Sequence, residues 1–64
     1  MTRTQYKQCF RAARQLARFH RRPHDRHEAA TWAMHEAQAI GIRHPSLDDY
    51  RAFERIGRRV MQAI

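Results

Sequence analysis

The stretch TRTQYKQCFRAARQLARFHRR, Thr2 to Arg22, decides how the rest of the chain is read. On a helical wheel at about 100° per residue it separates into two faces. Tyr6, Cys9, Phe10, Ala13, Leu16, Ala17 and His20 fall on one side, with Ala12 and Phe19 at its margin. Arg3, Lys7, Arg11, Arg14, Arg18, Arg21 and Arg22 gather opposite them, within an arc of roughly 100°. Gln8 and Gln15 mark one border, and no acidic residue precedes Asp25. This is the pattern of an amphipathic helix. Pro23 ends it, because the ring disfavours helical dihedrals at the residue before it.

Two further helices follow from start and stop signals. Asp25-Arg-His-Glu28 is a variant capping box, with Asp25 as N-cap and Glu28 reaching back. Beyond it, Ala29, Ala30, Ala33, Met34, Ala37 and Ile40 share one face, whose small side chains let a neighbouring helix come close. Gly41 stands at the expected C′ position, and Ile42 supplies the apolar contact of a Schellman end. Pro45-Ser-Leu-Asp-Asp49 opens a third helix, with Ser46 as N-cap, Asp49 at the capping-box position and Asp48 near the positive helix end. Tyr50, Phe53, Ile56, Val60, Met61 and Ile64 form its apolar stripe, with Arg51, Arg55, Arg58 and Arg59 on the outer face. Gly57 lies inside that stripe. Since glycine costs about 1 kcal/mol relative to Ala there, it predicts a close helix crossing. No β-type alternation, internal repeat or low-complexity linker interrupts the pattern. The expectation is an all-α fold, a small three-helix bundle forming one helical domain over 1–64. Its helices span about 3–22, 26–40 and 47–63, and dimerisation is a route to completing it.

Size and composition bound the function. A domain of 64 residues buries only about 60% of its unfolded surface, so self-association as a homodimer is attractive. The single cysteine, Cys9, excludes an intrachain disulfide and a multi-cysteine zinc site, and its place on the apolar face reads as a buried structural thiol. No apolar run approaches the roughly 20 residues that span a bilayer, and the start lacks a secretory h-region. Cytoplasmic is the default, with no membrane partner. Thirteen basic residues, all arginine except Lys7, stand against six acidic ones, for a net charge of +7. That excess favours an anionic partner. Not all of the arginine and alanine bias is credited to function, since a GC-rich coding sequence favours the same residues.

The spacing Ala37-x-x-Ile40-Gly41-Ile42-x-x-x-x-Leu47-x-x-Tyr50 is similar to a helix-turn-helix motif, with Ala in the first helix, Gly in the turn and apolar residues where the second helix packs back. The resemblance implies DNA contacts from Arg43, Arg51 and Arg55. Asp48 and Asp49 oppose it, since they fall where such a helix meets phosphates, and Pro45 lengthens the turn. The same string arises wherever a glycine-ended helix meets a capped one.

The arginine face of the first helix is the stronger lead. Its cations are positioned to neutralise several phosphates, and within the helix they lack the acidic partners at i+3 or i+4 that ordinary solvated helices carry. A face built for an acidic protein has the same sequence. An anionic membrane fits less well, because a core formed with the other helices needs the apolar side. His20, His24 and His27, with Asp25 and Glu28, are the residues from which a divalent metal site would be built. They straddle a helix end, a proline turn and a helix start, and Thr31 stands where a zincin needs its second histidine. No metal and no cofactor is expected. No nucleophile, phosphate loop or carboxylate pair stands in a catalytic pattern, so the chain is not expected to be an enzyme.

The leading expectation is a small basic regulatory protein, of the sort phages and mobile elements encode. It binds nucleic acid, DNA ahead of RNA, through Lys7, Arg11, Arg14, Arg18, Arg21 and Arg22, with Arg43, Arg51 and Arg55 added by the corner motif. The alternative is an inhibitor or adaptor that docks on an acidic host protein, with Trp32 and Tyr50 as aromatic anchors.

Overall fold

Helix α1 (Arg3–Phe19) begins where its first orphan amides find partners. The Thr2 hydroxyl accepts from the Gln5 amide at 3.1 Å, and the Gln5 side chain accepts from the Thr2 amide at 2.7 Å. Helix α2 (Arg26–Ala39) is capped by Asp25, whose carboxylate accepts from the Glu28 amide at 2.9 Å. Helix α3 (Leu47–Ala63) opens on the Ser46–Asp49 capping box read from sequence, with both bonds formed at 3.0 and 3.1 Å. This computed structural model describes all of residues 1–64, and the expected all-α three-helix bundle is what they form. None of its helices is long and apolar enough to cross a membrane.

The ends of α2 and α3 match the sequence reading within one residue, but α1 stops at Phe19 rather than near Arg22. His20 and Arg21 both donate to the Leu16 carbonyl, closing the last turn. Pro23 is buried, the chain before it has left the helix, and the Arg21 side chain reaches Glu28 across the turn. At the far end of α2, Gly41 takes a φ of 98°, which favours glycine. The Ile42 amide donates to the Ala37 carbonyl at 2.9 Å and the Gly41 amide to the Gln38 carbonyl at 3.1 Å, the two bonds of a Schellman end.

Helix directions follow from two contacts along one seam. The Met1 ammonium pairs with Asp49 where α1 and α3 begin, and Tyr6 meets Arg59 further along. α1 and α3 therefore run parallel, with α2 antiparallel to both. A helix of 17 residues is about 26 Å long, which accounts for the 27 Å long axis of the molecule. The helices lie side by side along it.

The core is built from small residues on two helices and large ones on the third. Cys9, Ala13 and Ala17 of α1 and Ala29, Ala33 and Ala37 of α2 are buried, packed on Phe53, Ile56 and Val60 of α3. Alanine against alanine lets two helices approach closely. One consequence corrects the sequence expectation: the large side chains of α1 do not fill the centre. Tyr6 and Phe10 are half-buried at the α1–α3 flank, while Leu16, His20 and Phe19 are exposed. The expected close crossing at Gly57 is present, since a Cβ there would lie 2.2 Å from the Arg26 carbonyl oxygen and 3.2 Å from the Ala30 Cβ.

Candidate nucleic-acid interface

Parallel packing of α1 and α3 places the margins of two amphipathic faces beside each other. On the α1 wheel Phe10 lies only about 40° from Arg14, and on the α3 wheel Arg59 lies about 20° from Ala52. Both residues therefore sit where the core gives way to solvent. Tyr6 and Phe10 form the floor of a groove of about 440 Å³, and Arg3, Lys7, Arg11, Arg14 and Arg59 form its walls. No carboxylate lines it.

Three of the arginines lie over these aromatic rings. The Arg59 guanidinium lies 4.3 Å from the Phe10 ring centroid and 5.7 Å from that of Tyr6, and its Nη1 donates to the Tyr6 hydroxyl at 3.1 Å. Arg14 lies over the Phe10 ring at 5.3 Å and Arg55 over Tyr6 at 6.0 Å. These are cation–π distances, and they hold charged groups at the surface while their stems cover apolar ring. Chemically, the groove offers several guanidinium forks with no internal counter-charge, an arrangement suited to phosphate or carboxylate oxygens.

The structure brings Lys7, Arg11 and Arg14, named from sequence, into this groove, and Arg55 into the adjoining hollow with Arg3, Tyr6, Asp48 and Asp49. Arg18 is exposed on the next turn of α1, and Arg22 and Arg43 are exposed outside the helices. Arg51 is exposed and lies 3.7 Å from Asp48. Arg21 departs from the row: its guanidinium makes a bidentate pair with Glu28, at 2.9 and 2.7 Å, and lies 5.2 Å from the Trp32 ring centroid. Together with the His24 amide, which donates to Glu28 at 2.9 Å, Arg21 holds the Glu28 carboxyl down to about 2. Arg21 thus ties the α1–α2 corner together.

Tyr6, Phe10, Arg3 and Arg59 were absent from the sequence-derived set. Phe10 counted as apolar face and therefore as core, and Arg59 counted as outer face. Only its wheel position beside Ala52 set it apart from Arg58, and reading that signal needed the pairing of α1 with α3.

The two acidic residues near the start of α3 differ from each other, Asp49 holding the capping-box place read for it from sequence. Asp49 is buried. One carboxylate oxygen takes the Met1 ammonium and the other accepts from the Ser46 amide, which together hold its carboxyl below the usual range. Asp48 alone points its charge outward, 90% exposed. The Ala37–Tyr50 corner forms as two capped helix ends. Its connection from Ile40 to Ser46 is longer than the roughly 3–4-residue turn of a helix-turn-helix.

Trp32, a candidate anchor, is half-buried and shielded on one side by Arg21. Tyr50 is 44% exposed and meets Phe53 edge-on at 6.0 Å. His20, His24 and His27 are all exposed, and no three His, Cys, Asp or Glu side chains are grouped to hold a metal ion. No protein-family model matches the chain, and neither a curated protein nor a solved structure matches it.

Proposed function

We propose that this is a small regulatory protein that binds nucleic acid, DNA ahead of RNA, by gripping phosphates along the α1–α3 face. The observation that carries the reading is the groove itself, with cations on its walls and no carboxylate among its lining residues. Elsewhere three of the six acids are engaged in structure: Asp25 and Asp49 take part in helix caps and Glu28 clamps Arg21. A face left unneutralised in this way attracts polyanions. Arg18, exposed and free of a carboxylate, extends the row beyond the groove.

The test is a low-salt titration of labelled DNA, with wild type and with Arg11→Gln, Arg14→Gln and Arg18→Gln combined. If about five phosphates are met, the log–log salt slope is about −4.5, and affinity falls about 500-fold between about 50 and 200 mM salt. The triple variant flattens the slope by about 2.7. Absence of binding by wild type at low salt refutes the proposal.

A second reading is favoured by a different surface. Leu16 and Phe19 are 36% and 83% exposed and line a hollow with Ala12, Gln15, His20 and Glu36 between α1 and α2. An exposed apolar patch of this kind suits an inhibitor or adaptor docked on a host protein. Pull-down with and without nuclease separates the two: a stoichiometric partner that survives nuclease supports docking, and one lost with nuclease supports phosphate binding.

A further inference from the structure

We infer that the groove takes the backbone of a B-form DNA duplex on ring-stacked arginines and does not take unstacked bases. This rests on the nucleic-acid reading above and adds to it a conformational class of substrate.

The argument begins with the rings. Proteins that hold single strands present open aromatic faces for bases to stack on. Here Phe10 carries Arg59 and Arg14, and Tyr6 carries Arg59 and Arg55. A base entering the groove must first displace a guanidinium from its ring. The most exposed aromatic side chain, Phe19, lies outside the groove. A guanidinium set over a ring keeps in-plane N–H donors for an anion. Arg59 uses one nitrogen on the Tyr6 hydroxyl and is held by two rings, so it loses little further freedom on binding. It is the pre-organised centre of the groove. On α1 the exposed Lys7, Arg11 and Arg18 continue the row over about 16 Å of rigid helix. Along that length a duplex presents twice the charge of a single strand, one per about 1.7 Å against one per about 3.4 Å. B-form DNA also has a major groove about 12 Å wide that admits a helix face, whereas that of A-form RNA is too narrow.

The experiment measures binding of a DNA duplex, the corresponding single strand and an RNA duplex, all of one length, by fluorescence anisotropy at two salt concentrations. The DNA duplex is expected to bind about tenfold more tightly than the single strand, with little dependence on sequence. Arg59→Gln reduces the duplex salt slope by about 0.9, and Arg59→Lys retains the slope while weakening binding a few-fold. Phe10→Leu, with folding checked by circular dichroism, weakens duplex and single strand alike. Single-strand binding as tight as duplex binding, lost selectively in Phe10→Leu, overturns the inference and leaves the nucleic-acid reading standing. An RNA duplex bound as well as DNA overturns the B-form assignment. No binding to any probe at low salt refutes the nucleic-acid reading and this inference with it. Because Arg59→Lys leaves Phe10 in place, the test survives a Phe10→Leu chain that does not fold.

Discussion

Replacing Gly57 by Ala sets two effects of opposite sign against each other. Helix propensity alone favours the alanine by about 1 kcal/mol. The structure opposes it, because the new Cβ would stand 2.2 Å from the Arg26 carbonyl oxygen and 3.2 Å from both the Ala30 amide nitrogen and its Cβ. An ordinary carbon–oxygen approach is about 3.3 Å or more, so α3 and the first turn of α2 must separate by about 1 Å. The blocking atom is backbone, anchored by the Asp25 cap, and no side-chain rotation relieves it. Opening the seam also loosens Phe53, Ile56 and Val60 from the alanines they cover. Overpacking of this kind costs about 1–3 kcal/mol, and a backbone collision belongs at the upper end. Net of propensity, Gly57→Ala is expected to destabilise by about 2 kcal/mol, which lowers the melting temperature of a domain this small by about 8–16 °C. Thermal unfolding followed by far-UV circular dichroism reads the sign directly. A variant as stable as wild type, or more stable, refutes the close crossing.

Two further perturbations probe the corner and the core. The Glu28 carboxyl, held at about 2 by Arg21 and the His24 amide, is depressed from an ordinary value near 4.3, so its contribution is full above about pH 5 and is lost as pH falls through about 2. Glu28→Gln is expected to lower the melting temperature at neutral pH and to flatten its decline between those limits; parallel profiles for variant and wild type count against the clamp. Cys9 is fully buried, and burial pushes its thiol pKa up, with Glu36 adding to the rise. Its modification by a thiol reagent should therefore follow opening of the α1–α2 seam, slow in buffer and immediate in denaturant. Native reactivity equal to that of a free thiol contradicts that burial.

What the sequence made legible was whatever depends on neighbours along the chain. The Ser46–Asp49 box, the Gly41 end and the alanine stripe of α2 are local patterns, and each formed where it was read. Helix α1 stops at Phe19, three residues short of the end that Pro23 predicts, and the Arg21–Glu28 pair beyond it spans a turn that periodicity does not encode. Leu16 illustrates a second limit. Its place on the apolar face predicted burial, yet the Cys9–Ala13–Ala17 seam draws α1 against α2 so closely that larger side chains are turned out to the flanks. The α1–α3 groove was illegible for a third reason. A wheel treats one helix at a time, and Phe10 and Arg59 acquire their roles only where two wheels meet.

That meeting links the fold to the proposed binding face. A chain of 64 residues with an alanine-rich core has little aromatic burial available at its centre, and it places Tyr6 and Phe10 on the α1–α3 flank instead. Rings half-open to water need a cover. Lysine is a poor one, being a strongly hydrated point charge, whereas arginine is weakly hydrated, planar and able to stack. Arg14, Arg55 and Arg59 supply that cover and in doing so place their charge at the surface. Carboxylates cannot take over the task, and Asp25, Asp49 and Glu28 serve helix caps and the α1–α2 corner instead. The arrangement that closes the bundle on this flank is thus the one that leaves positive charge unpaired. Stability and anion affinity are carried there by the same side chains, and substitutions at Arg59 are expected to move both together.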